Sequence, residues 1–298
     1  MRDRSSKRGF ALLMVLFVLA LAGTVLAAAA RRSCERALLA HSAQEELQLK
    51  WSALSARALC LPATERLLDS AAAAARDADP DAPPPATVSF TMTLGGLACD
   101  LVVADEQAKA NVNLLAARFG DAVMSDRLQN LQAGQREVLT VELRPGDPPA
   151  GVIAAVPRRY ASLAQIFGAK PPTALFPTGP DEHGPVGRIT CWGSGQINLR
   201  RADAVVVRQA LADLLTESEF AKLEKFRQTV PGCSVDEALK TMEIPDARAK
   251  NLRPLLTDTS SCHSLWLVAH GRTRDWFRLE VTQEGDAEND AEEWTFLW

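Results

Sequence analysis

The sequence predicts an α+β protein in which a long N-terminal helix precedes an antiparallel sheet and a large, mainly helical segment interrupts that sheet. An uncharged apolar run at residues 10–30 continues into a stretch rich in Ala, Leu, Glu and Arg, which favour helix. Apolar and polar residues alternate at 87–104 and again at 264–283, as in half-buried strands. Most of the chain between these two regions carries helical spacing.

The N-terminal run has the length of a membrane-spanning helix. Residues 10–30 number 21 and carry no charge, close to the ~20 needed to cross a bilayer. Four basic residues precede the run, so the N-terminus should be cytoplasmic and the rest external: Arg2, Arg4, Lys7 and Arg8. A cleaved secretory signal is an alternative because Ala27–Ala30 are small, but the run exceeds the usual length of its apolar region.

The elements after the run can be placed in order. Helical composition continues over 33–76, interrupted at Pro62, and 77–86 is a Pro- and Asp-rich linker. A hairpin follows with its turn at Gly95-Gly96. Helices are expected within 123–133, 160–169, 202–228 and 234–242, with Asp203 and Ser234 as N-cap or first-turn residues, and a loop over 169–196. Strands should then form at 264–271, 274–283 and 292–298.

The start of the chain resembles a class III, prepilin-type signal: a short basic leader, Gly9, Phe10 and a long apolar helix. The resemblance implies that prepilin peptidase cuts after Gly9, that Phe10 becomes the mature N-terminus and that the helix is retained. Pilins and pseudopilins usually carry Glu at the fifth mature position, where this chain has Met14. In those families the Glu is thought to pair with the N-terminal amine of a neighbouring subunit, because an unpaired carboxylate is costly in lipid. A subunit at the filament tip has no neighbour above it, so the resemblance implies that the tip can lack this Glu.

Two internal segments extend the resemblance to the protein K family of minor pseudopilins in type II secretion. Asn111-Val112-Asn113 is similar to one family element, and Gly195-Gln196-Ile197-Asn198-Leu199 to another, with Arg200 where a second Asn is common. The family implies a pilin-like α+β fold with this domain order: leader 1–9, transmembrane helix 10–30, helix and first strands 31–110, helical insertion 111–258 and C-terminal strands 259–298.

The same resemblance implies a non-enzymatic part of the pseudopilus, anchored by one span in the inner membrane with a periplasmic C-terminal domain. Its partners would be other minor pseudopilins, prepilin peptidase and the inner-membrane secretion platform. Two alternatives stay open: a minor type IV pilin, or a single-pass envelope protein of unrelated enzymatic or binding function. With a net charge of −4, the chain has no basic field for nucleic acid.

Chemistry-bearing residues indicate no catalytic centre. The four histidines lie outside metal-ligand motifs, and Ser194 in "WGSGQ" lacks the last glycine of a nucleophile elbow. An acidic loop could supply carboxylates to calcium, which the family can bind, or could be a solvated hairpin tip: Glu284, Asp286, Glu288 and Asp290. Six scattered cysteines suit either disulfides in an exported domain or small buried hydrophobes.

Overall fold

The computed structural model describes residues 5–79, 82–133, 138–146, 159–168, 170, 172–175, 187–230, 232–272, 275–284 and 292–297. The chain divides into two compact units, residues 1–50 and residues 51–298. The described part of the first unit is helical and belongs to α1, Ser5–Cys60. Ion pairs one turn apart, Arg31 with Glu35 at 3.0 Å and Glu46 with Lys50 at 2.8 Å, support this helix on its exposed surface.

The helix breaks at the proline that the sequence marks. α1 ends at Cys60, a 3₁₀ turn covers Leu61–Ala63, and α2 runs over Thr64–Ala78. Pro62 stands in the first turn of the new segment, where its missing N–H costs nothing. The strongly amphipathic α2 buries Leu68 and Ala72 and contacts the first two strands of the sheet.

A five-stranded antiparallel sheet forms the centre of the second unit, in the order β1-β2-β7-β8-β9. The hairpin of β1 (Thr87–Leu94) and β2 (Leu97–Asp105) turns at Gly95 and Gly96, whose φ angles of 58° and 84° suit glycine. Three later strands complete the sheet: β7 (Cys262–His270), β8 (Asp275–Gln283) and β9 (Glu292–Leu297). The predictions of the hairpin and of these strands are confirmed.

The chain between β2 and β7 is mainly helical. After a 3₁₀ turn at Glu106–Ala108 come β3 (Ala110–Asn111), α3 (Val112–Leu131), α4 (Ala164–Phe167), α5 (Pro172–Leu175), β4 (Ile189–Thr190) and β5 (Ile197–Asn198). Next come α6 (Ala204–Leu211), α7 (Glu217–Thr229), α8 (Val235–Thr241), α9 (Asp246–Leu252), a 3₁₀ turn at Arg253–Leu255 and β6 (Leu256–Thr257). The α+β prediction, a long N-terminal helix with an antiparallel sheet and further helices, is confirmed.

Helix ends follow the predicted caps, and two local predictions need correction. Asp203 caps α6, and Ser234 forms a capping box at α8, as expected. Helix at 160–169 is limited to Ala164–Phe167, because Gly168 adopts a φ of 71° that ends it. The expected loop at 169–196 contains α5 and β4, since β3 offers β4 a parallel partner.

The main core lies where the insertion meets the sheet. Trp266 and Phe277 pack edge to face with ring centroids 5.7 Å apart. They join the same buried cluster as Leu128 of α3 and Val206 of α6. β7 is buried along almost its whole length, as expected of a central strand covered on both faces.

Candidate functional site

Exposed apolar side chains are concentrated on α1. Among the described residues, every exposed large hydrophobic side chain belongs to this helix except Val123, Val138 and Val230. The apolar run is the one helix in the described chain that is long and apolar enough to cross a membrane, a criterion that a signal sequence also meets. Such a surface is stable in water only when lipid or another protein covers it.

The predicted leader residues lie at the start of this helix. Gly9 and Phe10 are both within α1, and 66% of the Phe10 surface is exposed. Met14, at the position of the usual glutamate, is 52% exposed one turn further on. Cleavage after Gly9 stays a prediction.

A buried polar junction, which we call the Asp105 junction, connects β2 to the insertion and to the C-terminal strands. The fully buried Asp105 accepts hydrogen bonds at Oδ1 from the backbone N–H groups of Gln107 and Ala108, at 2.9 and 3.1 Å. Ser260 Oγ donates to the same oxygen at 2.7 Å, and Asn198 Nδ2 donates to Oδ2 at 2.8 Å. One carboxylate thus joins three separate segments of the chain.

A buried arginine adds α2 to the junction. Arg201, 4% exposed, lies 3.7 Å from Asp105 Oδ2 and donates to Glu65 at 2.7 Å and to Asp69 at 2.6 Å. His263 of β7 also contacts Glu65, with Nε2 2.9 Å from Oε1. Hydrogen bonds from His263 and Arg201 lower the pKa of Glu65 to about 2, although burial opposes the shift.

A second buried ion pair lies beside the junction. Lys109 Nζ donates to Glu106 Oε1 at 2.5 Å, and neither side chain is more than 1% exposed. Ser264 Oγ donates to the same oxygen, and Trp266 Nε1 donates to Ser264 Oγ at 3.1 Å. Glu106 Oε2 is buried and has no hydrogen-bond partner in the described part of the chain. Removing one partner would leave the charge of the other buried and uncompensated, which is strongly destabilising.

The asparagines of the two family-like segments are structural. Asn111 Oδ1 caps α3 by accepting from the N–H groups of Asn113 and Leu114, and its Nδ2 donates to the Trp192 carbonyl at 2.8 Å. Asn113 Nδ2 donates to the carbonyls of Tyr160 and Cys191 at 2.9 and 3.0 Å. Asn198 serves the Asp105 junction, so all three amides hold backbone segments together.

Of the four residues proposed for calcium, Glu284 alone lies in the described part of the chain. Glu284 is exposed, and its backbone N–H donates to the Ser261 carbonyl at 2.8 Å. Asp286, Glu288 and Asp290 lie outside the described residues. Within the described ranges, no group of three or more His, Cys, Asp or Glu side chains is placed to hold a metal ion.

Other polar and sulfur-bearing residues have structural partners. Ser194 Oγ accepts from Gln107 Nε2 at 2.8 Å, which leaves it in an amide network rather than beside a base. His270 lies between Asp100 and Asp275, at 2.9 and 3.0 Å, and these hydrogen bonds raise its pKa. The thiols of Cys60, Cys99, Cys191 and Cys233 are buried without disulfides, which agrees with the small-hydrophobe alternative.

No protein-family model matches the chain, and no curated protein matches it in sequence. Its structure matches a chain of the crystal structure of the GspK-GspI-GspJ complex from the enterotoxigenic Escherichia coli type 2 secretion system. The identity is 15% and the TM-score 0.45, and the match covers 87% of this chain and 99% of that chain. Membership of that complex is a property of the neighbour. The function of this chain has to follow from its own residues.

Proposed function

We propose that this chain is a minor pseudopilin at the tip of a type II secretion pseudopilus and takes part in pseudopilus assembly and protein export. The observation that carries the proposal is the basic leader ending in Gly9-Phe10, directly followed by an apolar helix whose side chains are exposed. Prepilin peptidase would remove residues 1–9, and the helix would be kept.

The retained helix would hold the precursor in the inner membrane, with the leader in the cytoplasm and the sheet-containing unit in the periplasm. In the assembled filament, the same apolar surface would pack against the helices of other minor pseudopilins. Small residues allow helices in lipid to approach closely, and Ala20, Ala22 and Gly23 lie in the run. A Cβ added at Gly23 would meet nothing within 4 Å in the described chain beyond the adjacent residues and backbone of its own helix, which would leave room for a partner helix.

The role would be structural rather than enzymatic. The buried polar groups of the second unit hold segments together: Asp105 joins β2 to the insertion, and Lys109 pairs with Glu106. The predicted domain boundaries at 110/111 and 258/259 lie close to the ends of β2 and the start of β7 and stay part of this proposal.

Placement at the tip depends on Met14. A subunit with no neighbour above it has no N-terminal amine to pair with a carboxylate, so an apolar residue would be tolerated there. Introducing Glu by Met14→Glu should impair assembly and secretion. If the variant supports both as well as the native chain, the missing carboxylate carries no positional meaning.

Gene deletion with complementation distinguishes the three candidate functions. Loss of protein secretion, restored by the native gene, with unchanged pilus-dependent motility and DNA uptake supports the pseudopilin. Loss of motility or DNA uptake with normal secretion would indicate the minor type IV pilin. If none of these processes changes, the chain is an anchored envelope protein of another function.

A further inference from the structure

An arginine-rich cleft of about 440 Å³ opens in the second unit. Its walls are the end of α2, the proline-rich segment 82–86, the residues before α6, and α7. Clefts of this volume are typical of sites for small organic ligands. Five arginines of the described chain line it: Arg76, Arg188, Arg200, Arg201 and Arg227.

Two of these arginines already have carboxylate partners. Arg188 pairs with Asp203 at 2.8 Å and also donates to the carbonyls at the end of α3. Arg201 is held by Glu65 and Asp69 within the Asp105 junction. Their charges are therefore largely compensated by the protein.

The other three arginines have weaker compensation within the described residues. Arg76 has no ion pair within the described residues, and Arg200 comes no closer than 4.0 Å to its nearest carboxylate, Asp69. Arg227 donates to the Ala202 carbonyl, while its Nε is buried with no acceptor in the described part of the chain. Burial lowers the pKa of Arg227, although the nearby carboxylates of Glu224 and Asp203 oppose this shift.

A cation that is partly withdrawn from water without a closely paired anion is costly, and a bound anion would reduce that cost. Among the described residues, the acids lining the cleft are Asp203, which pairs with Arg188, and Glu224. The cleft is thus locally positive in a chain whose net charge is −4. Guanidinium groups bind phosphate oxygens through paired, charge-assisted hydrogen bonds.

We propose that this cleft binds an organic phosphate, with its phosphate between Arg76, Arg200 and Arg227. Three donors on different elements suit a tetrahedral group that presents oxygens in several directions. One part of the wall is apolar, because Pro83, Pro84 and Pro85 line the same space. An organic substituent on the phosphate would pack against these rings. The ligand is either a free phosphate ester or the headgroup of a phospholipid, which share this chemistry.

The test is isothermal titration calorimetry on the full-length protein in a non-ionic detergent. Glycerol 3-phosphate represents the free ester, and dihexanoylphosphatidylglycerol represents the lipid headgroup. Glycerol and dihexanoylglycerol serve as phosphate-free controls. Binding of glycerol 3-phosphate supports a free ester as the source, and binding of the lipid alone supports a headgroup. A native protein that binds neither probe at 10 mM overturns the proposal.

Matched variants decide whether the binding belongs to this cleft. Arg76→Gln and Arg200→Gln each remove a partly exposed guanidinium group, and each should weaken binding about tenfold or more. Arg227→Gln also loses the hydrogen bond to the Ala202 carbonyl, so its folding has to be checked first. A folded Arg227→Gln variant should weaken binding to the same extent. Arg66→Gln, at an exposed position of the same helix α2, should bind like the native protein. Unchanged affinity in both Arg76→Gln and Arg200→Gln would contradict the assignment.

Discussion

The side-chain amide of Asn198 donates a 2.8 Å hydrogen bond to Asp105 across 93 positions of the sequence. This bond joins the end of β2 to β5 within the helical insertion. Because the same carboxylate also holds Ser260, just before β7, the insertion is fastened at both places where it leaves the sheet. The periplasmic unit proposed for the filament tip would therefore behave as one body.

Replacing Asp105 with Asn should destabilise the second unit. The substitution keeps the shape but turns an NH₂ group toward donors such as Gln107 N–H and leaves Arg201 with less compensation. We expect a loss of about 3 kcal/mol in the free energy of unfolding, measured by urea denaturation. The exposed Asp126 of α3 offers a control, and Asp126→Asn should change stability by less than about 0.5 kcal/mol. Equal effects of the two substitutions would show that the junction contributes little.

The buried Lys109–Glu106 pair predicts strong non-additivity. Lys109→Met leaves the Glu106 carboxylate buried without its cation and should cost about 3–5 kcal/mol. The double variant Lys109→Met/Glu106→Gln removes both charges and should recover most of that loss. Urea denaturation of the two single variants and the double variant measures the coupling. If the loss of unfolding free energy in the double variant equals the sum of the losses in the two single variants, the two side chains do not act as a pair.

The junction also predicts a dependence on acid. The pKa of Glu65 is lower in the folded chain, about 2, than its ordinary value of 4.5. A carboxyl group shifted downward contributes stability above its unfolded pKa and loses that contribution as the pH falls toward the folded value. The stability difference between the native chain and Glu65→Gln should therefore be full above pH 5 and shrink toward pH 2.

Thermal unfolding of both proteins between pH 2 and pH 7 measures this difference. The groups that face Glu65 are His263 on β7 and Arg201 before α6, with Asp69 sharing the arginine. Arg66→Gln on the exposed face of α2 serves as the control and should show a pH-independent offset from the native chain. A constant difference between the native chain and Glu65→Gln over the whole range would contradict the assigned shift.

The exposed surface of α1 after the apolar run should serve assembly rather than folding. Trp51 and Leu54 are 61% and 46% exposed, so Trp51→Gln and Leu54→Gln should change the free energy of unfolding by less than about 0.5 kcal/mol. Under the proposed function, both should reduce co-purification with the other minor pseudopilins. Val123 of α3 is 45% exposed, and Val123→Gln should leave co-purification intact. Normal co-purification of the α1 variants would remove this face from the interface.

Local signals made much of the fold predictable from the sequence. The Gly95-Gly96 turn between alternating strands, the break at Pro62 and the caps at Asp203 and Ser234 each depend on neighbours a few residues away. The apolar run was equally direct, because membrane-length hydrophobicity needs no tertiary context.

The junction and the cleft could not be predicted in the same way. Arg201 meets Glu65 across 136 positions, and Ser260 meets Asp105 across 155. Nothing in the spacing of one chain indicates which distant polar groups become partners. Asp105 had one usable signal: it directly follows the apolar residues 101–104 of β2, where a carboxylate is costly unless something pairs with it.

The central claim, that the leader is removed and the helix retained, is tested most directly by the mature N-terminus. Mass spectrometry of the membrane-extracted protein, from cells with and without prepilin peptidase, measures it. We expect a chain that starts at Phe10 when the peptidase is present and at Met1 when it is absent. A start at Met1 in both cells, or after Ala30, would contradict the proposed function.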